Sequence, residues 1–280
     1  MRKGLTTALT LSVAAAIGVA VAPSTASADN GRHTGYSADR LQAIGLAGDR
    51  TLVGFDTGRA RDGRSLGDVR GLAAADQELV GIDHRAADGK LYGVGRGGGV
   101  YTIDTRSLQA TKVLQLTIAL QGQFFGVDVN PAADALRIVS DTGQNLRQPL
   151  AAAGATVADT PLNPAPGTGV TGAAYTNNDR DAATATTLFD LATATDQVVV
   201  QAPANAGSLS PTGATRVDLT GDTGFDVYTS VRQDTTSGNT AFAVNAGRLY
   251  SVDLLTGRFT EAGAIGGGEV TDLTIPLGQR

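Results

Sequence analysis

From Leu41 onward the chain reads as short apolar–polar alternations, broken every few residues by Gly, Asp, Asn or Pro. That is the pattern of half-buried β-strands joined by turns, and no long stretch carries the 3.6-residue period of an amphipathic helix. One stretch predicts strands at 79–84, 90–95, 99–105 and 111–116, with Asp88-Gly89 and Gly97-Gly98 as hairpin turns. The next predicts 124–129, 135–140 and 145–148, turned by Asn130-Pro131 and Thr142-Gly143. A later one predicts 224–229, 240–244, 248–253 and 258–262.

A short signature recurs at the head of these groups. It reads Val80-Gly81-Ile82-Asp83, Phe125-Gly126-Val127-Asp128 and Thr223-Gly224-Phe225-Asp226. Thr171-Gly172-Ala173-Ala174 is a degenerate copy, and Glu269-Val270-Thr271-Asp272 is another with Val in place of Gly. The spacings are 45, 46, 52 and 46 residues. A second echo links Val100-Tyr101-Thr102-Ile103-Asp104 to Leu249-Tyr250-Ser251-Val252-Asp253. About four short strands per period of roughly 40–50 residues is the mark of an all-β β-propeller. Five signatures predict about five four-stranded blades, with six blades, a β-sandwich or a solenoid as the competing readings. Segments 41–46, 51–56 and 65–69 look like the later strands of a blade whose first strand is missing locally. Val270–Pro276 supplies it from the far end, so the ring is expected to close by pairing N- and C-terminal strands and thereby hide two sheet edges.

The first 28 residues follow a different pattern. Arg2 and Lys3 precede an uncharged apolar run from Gly4 to Ala22, then Pro23 and the small-residue triplet Ala26-Ser27-Ala28. This is the layout of a signal peptide cleaved before Asp29, and the expected location is secreted, extracellular. Residues 29–40 are polar and read as a flexible leader, and 41–277 as a single propeller domain. After cleavage the charge would move from −5 to −7, which disfavours nucleic acid and anionic membrane as partners. The expected mature chain is a monomer that meets an extracellular ligand or envelope component.

Composition narrows the chemistry. There is no Cys and no Trp, and the two His are His33 and His84. Disulfides, thiolate nucleophiles, Cys-ligated metals and multi-His metal sites are therefore excluded. The acidic residues are 24 Asp and 3 Glu. That bias favours turns and strands over helices.

The repeated carboxylates are the foremost candidate site. In a propeller the first strand of each blade lines the axis, so Asp83, Asp128, Asp226 and Asp272 should converge, with Ala174 in the fifth place. Convergent carboxylates raise one another's pKa unless a cation neutralises them, and calcium is the cation suited to flexible oxygen ligation. The competing reading is that each Asp accepts backbone N–H groups from the neighbouring blade. Asn177-Asn178-Asp179-Arg180-Asp181 is rich in oxygen ligands but lacks the glycine and the closing glutamate of an EF-hand, so it reads as a solvated hairpin loop. His84 follows Asp83 on a strand, and sequence neighbours point to opposite faces, so the two should not pair. No G-x-S-x-G nucleophile elbow occurs, and Gly95-Arg96-Gly97-Gly98-Gly99 lacks the Lys and the helix of a phosphate loop.

The segments Phe125–Pro131 and Leu136–Arg147, supported by Val80–Tyr92 and Thr171–Asn177, resemble a secreted bacterial family known as domain of unknown function 4394. The resemblance covers roughly Leu41 to Leu277 and implies a propeller-like fold without an assigned activity. Function is then expected to be that of a non-catalytic binding or scaffold protein. The alternative is a hydrolase or lyase using the channel carboxylates, with calcium as a candidate cofactor.

Overall fold

The computed structural model describes residues 40–151, 154–164, 169–179, 181, 184–232 and 235–279. The segment expected to be a signal peptide, most of the expected leader with His33, and Arg180 lie outside the described residues. Twenty strands among the described residues form five four-stranded antiparallel sheets. The fold is a five-bladed β-propeller.

Blade I contains β4 (Leu79–His84), β5 (Leu91–Gly95), β6 (Gly99–Asp104) and β7 (Gln109–Gln115). Blade II contains β8 (Phe125–Asn130), β9 (Ala135–Ser140), β10 (Asn145–Pro149) and the two-residue β11 (Val157–Ala158). Blade III, which the sequence left unresolved beyond its degenerate signature, contains β12 (Val170–Tyr175), β13 (Leu188–Ala192), β14 (Gln197–Gln201) and β15 (Leu209–Ala214). Blade IV contains β16 (Thr223–Arg232), β17 (Thr235–Asn245), β18 (Arg248–Val252) and β19 (Phe259–Ala264). Blade V is composite. Its inner strand β20 (Val270–Thr274) comes from the end of the chain and pairs with β1 (Gln42–Ala47), followed by β2 (Thr51–Asp56) and β3 (Arg64–Asp68).

The inner strands β4, β8, β12, β16 and β20 touch in that cyclic order, β20 returning to β4. The signature glycines explain how five strands crowd one axis. A Cβ on Gly126 would lie 2.6 Å from the Ala173 amide nitrogen, and one on Gly224 would lie 2.5 Å from the Asp272 Cα. Neighbouring backbones thus meet where no side chain fits, which is a use reserved to glycine. A second glycine group serves another purpose. Gly95, Gly97 and Gly99 leave room for the buried Asp76, whose carboxylate accepts the Gly99 amide and the Tyr101 hydroxyl. The Gly95–Gly99 turn is a hairpin, as its composition suggests.

The core is divided between the blades. Five apolar clusters each sit at one junction: V with I, I with II, II with III, III with IV and IV with V. The strand alternation of the sequence is the cause, since each inner or middle strand sends one face to each neighbouring blade.

Candidate functional site

Three of the four predicted carboxylates come together at the axis. Asp83, Asp128 and Asp226 each offer an oxygen within 4.8 Å of the others, and all three are buried. Asp272 is half-buried and stands outside that group. Sheet register gives the reason. Thr274 pairs with Ile44 as Asp83 pairs with Tyr92, counting from Val270 and Leu79 at the two strand starts. Thr274 therefore occupies the level of Asp83, and Asp272 stands where Gly81 does. The slip is two residues, which keeps Asp272 on the same face of its strand, so alternation could not reveal it.

Each carboxylate is tied to the next inner strand. Asp83 Oδ2 accepts the Val129 amide at 2.9 Å, Asp128 Oδ1 the Tyr175 amide at 3.2 Å, and Asp226 Oδ2 the Ile275 amide at 2.6 Å. Asp272 Oδ2 accepts the Ile82 amide at 2.8 Å. Four of the five junctions at the axis thus carry one carboxylate clasp. The exception follows Ala174, where blade III has no acid to offer blade IV; there the Thr171 and Thr223 hydroxyls bond each other. The reading of these residues as inter-blade acceptors describes the geometry, and their convergence describes it equally.

Burial is the main electrostatic fact. It pushes the Asp83 carboxyl well above the usual carboxylate range, with the Asp226 charge adding to the rise. Asp128 is raised by burial and then by Asp83 and Asp226. Asp226 rises to about 6 through burial, and Asp272 is raised by burial and by Asp222.

His84 and Asp83 do not bond side chain to side chain, as their opposite facing requires, but Thr274 links them. Its hydroxyl donates to Asp83 Oδ1 at 3.0 Å and stands 3.0 Å from His84 Nδ1. A hydroxyl has one proton, so with that proton on Asp83 the imidazole donates from Nδ1 and keeps Nε2 as an acceptor. Burial holds the His84 pKa down at about 4, so the ring is neutral at physiological pH. Thr274 escaped sequence reasoning because the signature stopped at Asp272.

The Asn177–Asp181 loop departs from expectation. Asp179 is buried rather than solvated, accepting the Asp181 amide and the Thr236 hydroxyl of β17. Asn177 reaches Asn239 of the same strand, so the loop fastens blade III to blade IV.

The family model of a domain of unknown function, DUF4394, matches residues 51–274. The chain belongs to this family. No curated protein matches it. Among solved structures, this DUF4394 chain is similar to a structural-genomics protein of unknown function from Bacteroides thetaiotaomicron VPI-5482. The identity is 11% and the TM-score 0.45, over 85% of this chain and 67% of that one. It is also similar to PorZ, described as an essential bacterial surface component of the type-IX secretion system of Porphyromonas gingivalis. Here the identity is 16% and the TM-score 0.41, over 85% of this chain but only 30% of PorZ.

Proposed function

We propose that this DUF4394 propeller is a secreted, non-catalytic binding domain whose axis is locked by a divalent cation, calcium by its chemistry. The observation that carries the reading is the double commitment of the axial acids. They clasp backbone amides of the next blade, and they are at most 6% exposed in the cases of Asp83, Asp128 and Asp226. An acid in that position holds strands together and offers no path to a substrate. Recognition then falls to the outer surfaces, where loops and strand ends are free to vary. The donor set suits calcium: oxygens about 2.4 Å from the ion lie roughly 3–5 Å from each other, which matches the spacing of these three. No helix among the described residues is long and apolar enough to cross a membrane. The competing reading, a calcium-dependent hydrolase or lyase, draws on the same three carboxylates and requires substrate to enter the axis.

A pH series with and without calcium tests the lock. The axial acids have raised folded pKa values, so their contribution to stability is present below the unfolded value near 4 and is lost as pH rises through about 6 and beyond. Calcium-free protein should therefore melt at lower temperature at pH 8 than at pH 5. Calcium at a hundredfold excess over its Kd should restore about 2.7 kcal/mol at pH 8. At pH 4, where the acids are protonated, it should restore almost nothing. A melting temperature at pH 8 that ignores calcium removes the lock. Robust chelator-sensitive turnover in a broad substrate screen replaces the binding reading with the catalytic one.

A further inference from the structure

Three surface clefts share a charge pattern that opposes the composition. The chain carries a net charge of −5, yet each cleft gathers two basic side chains. Lys90 and Arg106 line one of about 410 Å³ on blade I. Arg216 and Arg258 line one of about 340 Å³ where the end of β15 meets the β18–β19 turn. Arg40 and Arg232 line one of about 440 Å³ beside the start of β1 and the end of β16. The ion pairs among the described residues involve none of these six cations.

The carboxylates of these clefts are already engaged. Asp104 accepts the amides of Arg106 and Ser107 and the Ser107 hydroxyl, and Asp253 accepts the amides of Leu255 and Thr256. Both close the same turn in blades I and IV, the one marked in the sequence by the Tyr-x-x-Asp echo. In the blade I cleft Asp104 offsets Arg106, which leaves one positive charge uncompensated, and an oxyanion placed beside the two cations balances it and gains charge-assisted hydrogen bonds.

The blade I cleft adds neutral polar groups to its cations. Thr102, Gln109 and Thr111 line it, and the register of β6 with β7 puts them on one face of the sheet. Cations beside several neutral donors and acceptors match a molecule that carries a carboxylate and hydroxyls together. We propose that the blade I cleft binds an acidic saccharide, Lys90 and Arg106 taking the carboxylate and Thr102, Gln109 and Thr111 facing its hydroxyls. The inference rests on the binding reading above and names the ligand class for it.

Titration calorimetry on the purified chain tests this with trigalacturonate, maltotriose and inorganic phosphate as probes. Trigalacturonate should bind at low salt and weaken steeply at high salt, as cation–carboxylate contacts do. A Lys90→Ala/Arg106→Ala variant should bind it at least tenfold more weakly. Both side chains are exposed, so the variant should melt with the parent. Thr102→Val should weaken trigalacturonate but leave phosphate unchanged. No binding of trigalacturonate, or binding indifferent to the double substitution, overturns the proposal. Phosphate binding as tightly as the trisaccharide overturns its saccharide part. Maltotriose bound equally by parent and double variant overturns the proposal while leaving the domain a binding module.

Discussion

Leu136 and Arg137 are neighbours on β9, and they face opposite ways into two unlike junctions. Leu136 enters the contact of blades I and II, where Tyr92, Val94, Val100, Phe125, Val127 and Ile138 make a continuous apolar seam. Arg137 enters the contact of blades II and III, where it is 2% exposed and bonds Tyr175, Asn145, Asp159 and Asn205. Asp190 lies on the facing side of that junction, fully buried. Away from the axis, where Asp83 clasps the Val129 amide, the first junction is held by apolar area, which is indifferent to pH and tolerant in geometry. The other adds buried polar groups to its apolar cluster, and these fix orientation but leave a large penalty wherever a partner is missing. Repetition builds the fold, and departure from repetition gives one junction a distinct chemistry.

The largest effect should come from removing the strand that serves two apolar junctions at once. Val270, Leu273 and Ile275 are at most 1% exposed and pack toward blade IV, while Leu46 and Leu52 of the same blade pack toward blade I. Truncation after Gly268 deletes those three side chains, each worth roughly 1.5–3 kcal/mol, and the Ile275 amide that Asp226 clasps. It also opens the edges of β1 and of the ring. Against a total of about 5–15 kcal/mol, the truncated chain should fail to fold or should aggregate. Soluble yield and thermal unfolding provide the measurement, and a melt like the parent's would refute ring closure by β20.

Next in size is Leu136→Ala, a cavity in the apolar junction. A fully buried leucine loses about 2–5 kcal/mol on such truncation. The loss should be the same at pH 5 and pH 8 by chemical denaturation, because the substitution leaves the Asp83 clasp on the Val129 amide in place, so its titration cancels between variant and parent. A loss that varies with pH would show that the two junctions are coupled and that the comparison is too sharp.

These two regions also mark what could be read from the residues alone. Blade count, ring closure and the convergence of Asp83, Asp128 and Asp226 were legible, because glycine and aspartate recur at the positions where backbones meet and where amides need acceptors. Thr274 was not, because a two-residue slip leaves side-chain direction unchanged. Arg137, Asp159 and Asp190 were not either, because each occurs once and their pairing spans 22 residues in one case and two blades in the other. Asp179 looked like loop solvent exposure until β17 proved long enough to reach it. A repeat announces itself by recurrence, whereas a contact made once between distant segments leaves no pattern to detect.

The smallest effect, and the sharpest on the polar junction, belongs to Asp190→Asn. Both carboxyl oxygens of Asp190 and Oε1 of Gln201 are buried without a donor. Gln201 sits on the strand next to Asp190 and on the same face, since Leu188 pairs with Gln201 and Asp190 with Val199. Its amide nitrogen is spent on Ala204 and Asn145, so the oxygen is what remains. Burial holds the Asp190 carboxyl well above the usual range, with Arg137 pulling the other way. The charged groups facing it across the junction are Arg137, Asp159 and, at the rim, Arg147, with Tyr175 beside them. Three acceptors and no donor make a set that one proton improves, because a neutral acid can donate to the glutamine oxygen. A raised folded pKa means that the group's contribution is present below about pH 4 and is lost as pH rises. Asparagine supplies a donor at every pH. Asp190→Asn should therefore be more stable than the parent at pH 8 by about 1 kcal/mol, a rise of roughly 2–4 °C in Tm, with the gap closing toward pH 4. A variant less stable than the parent at pH 8 would mean that Asp190 is ionised and serves as the counter-charge of Arg137, and that the polar junction is held by an ion pair across the blades.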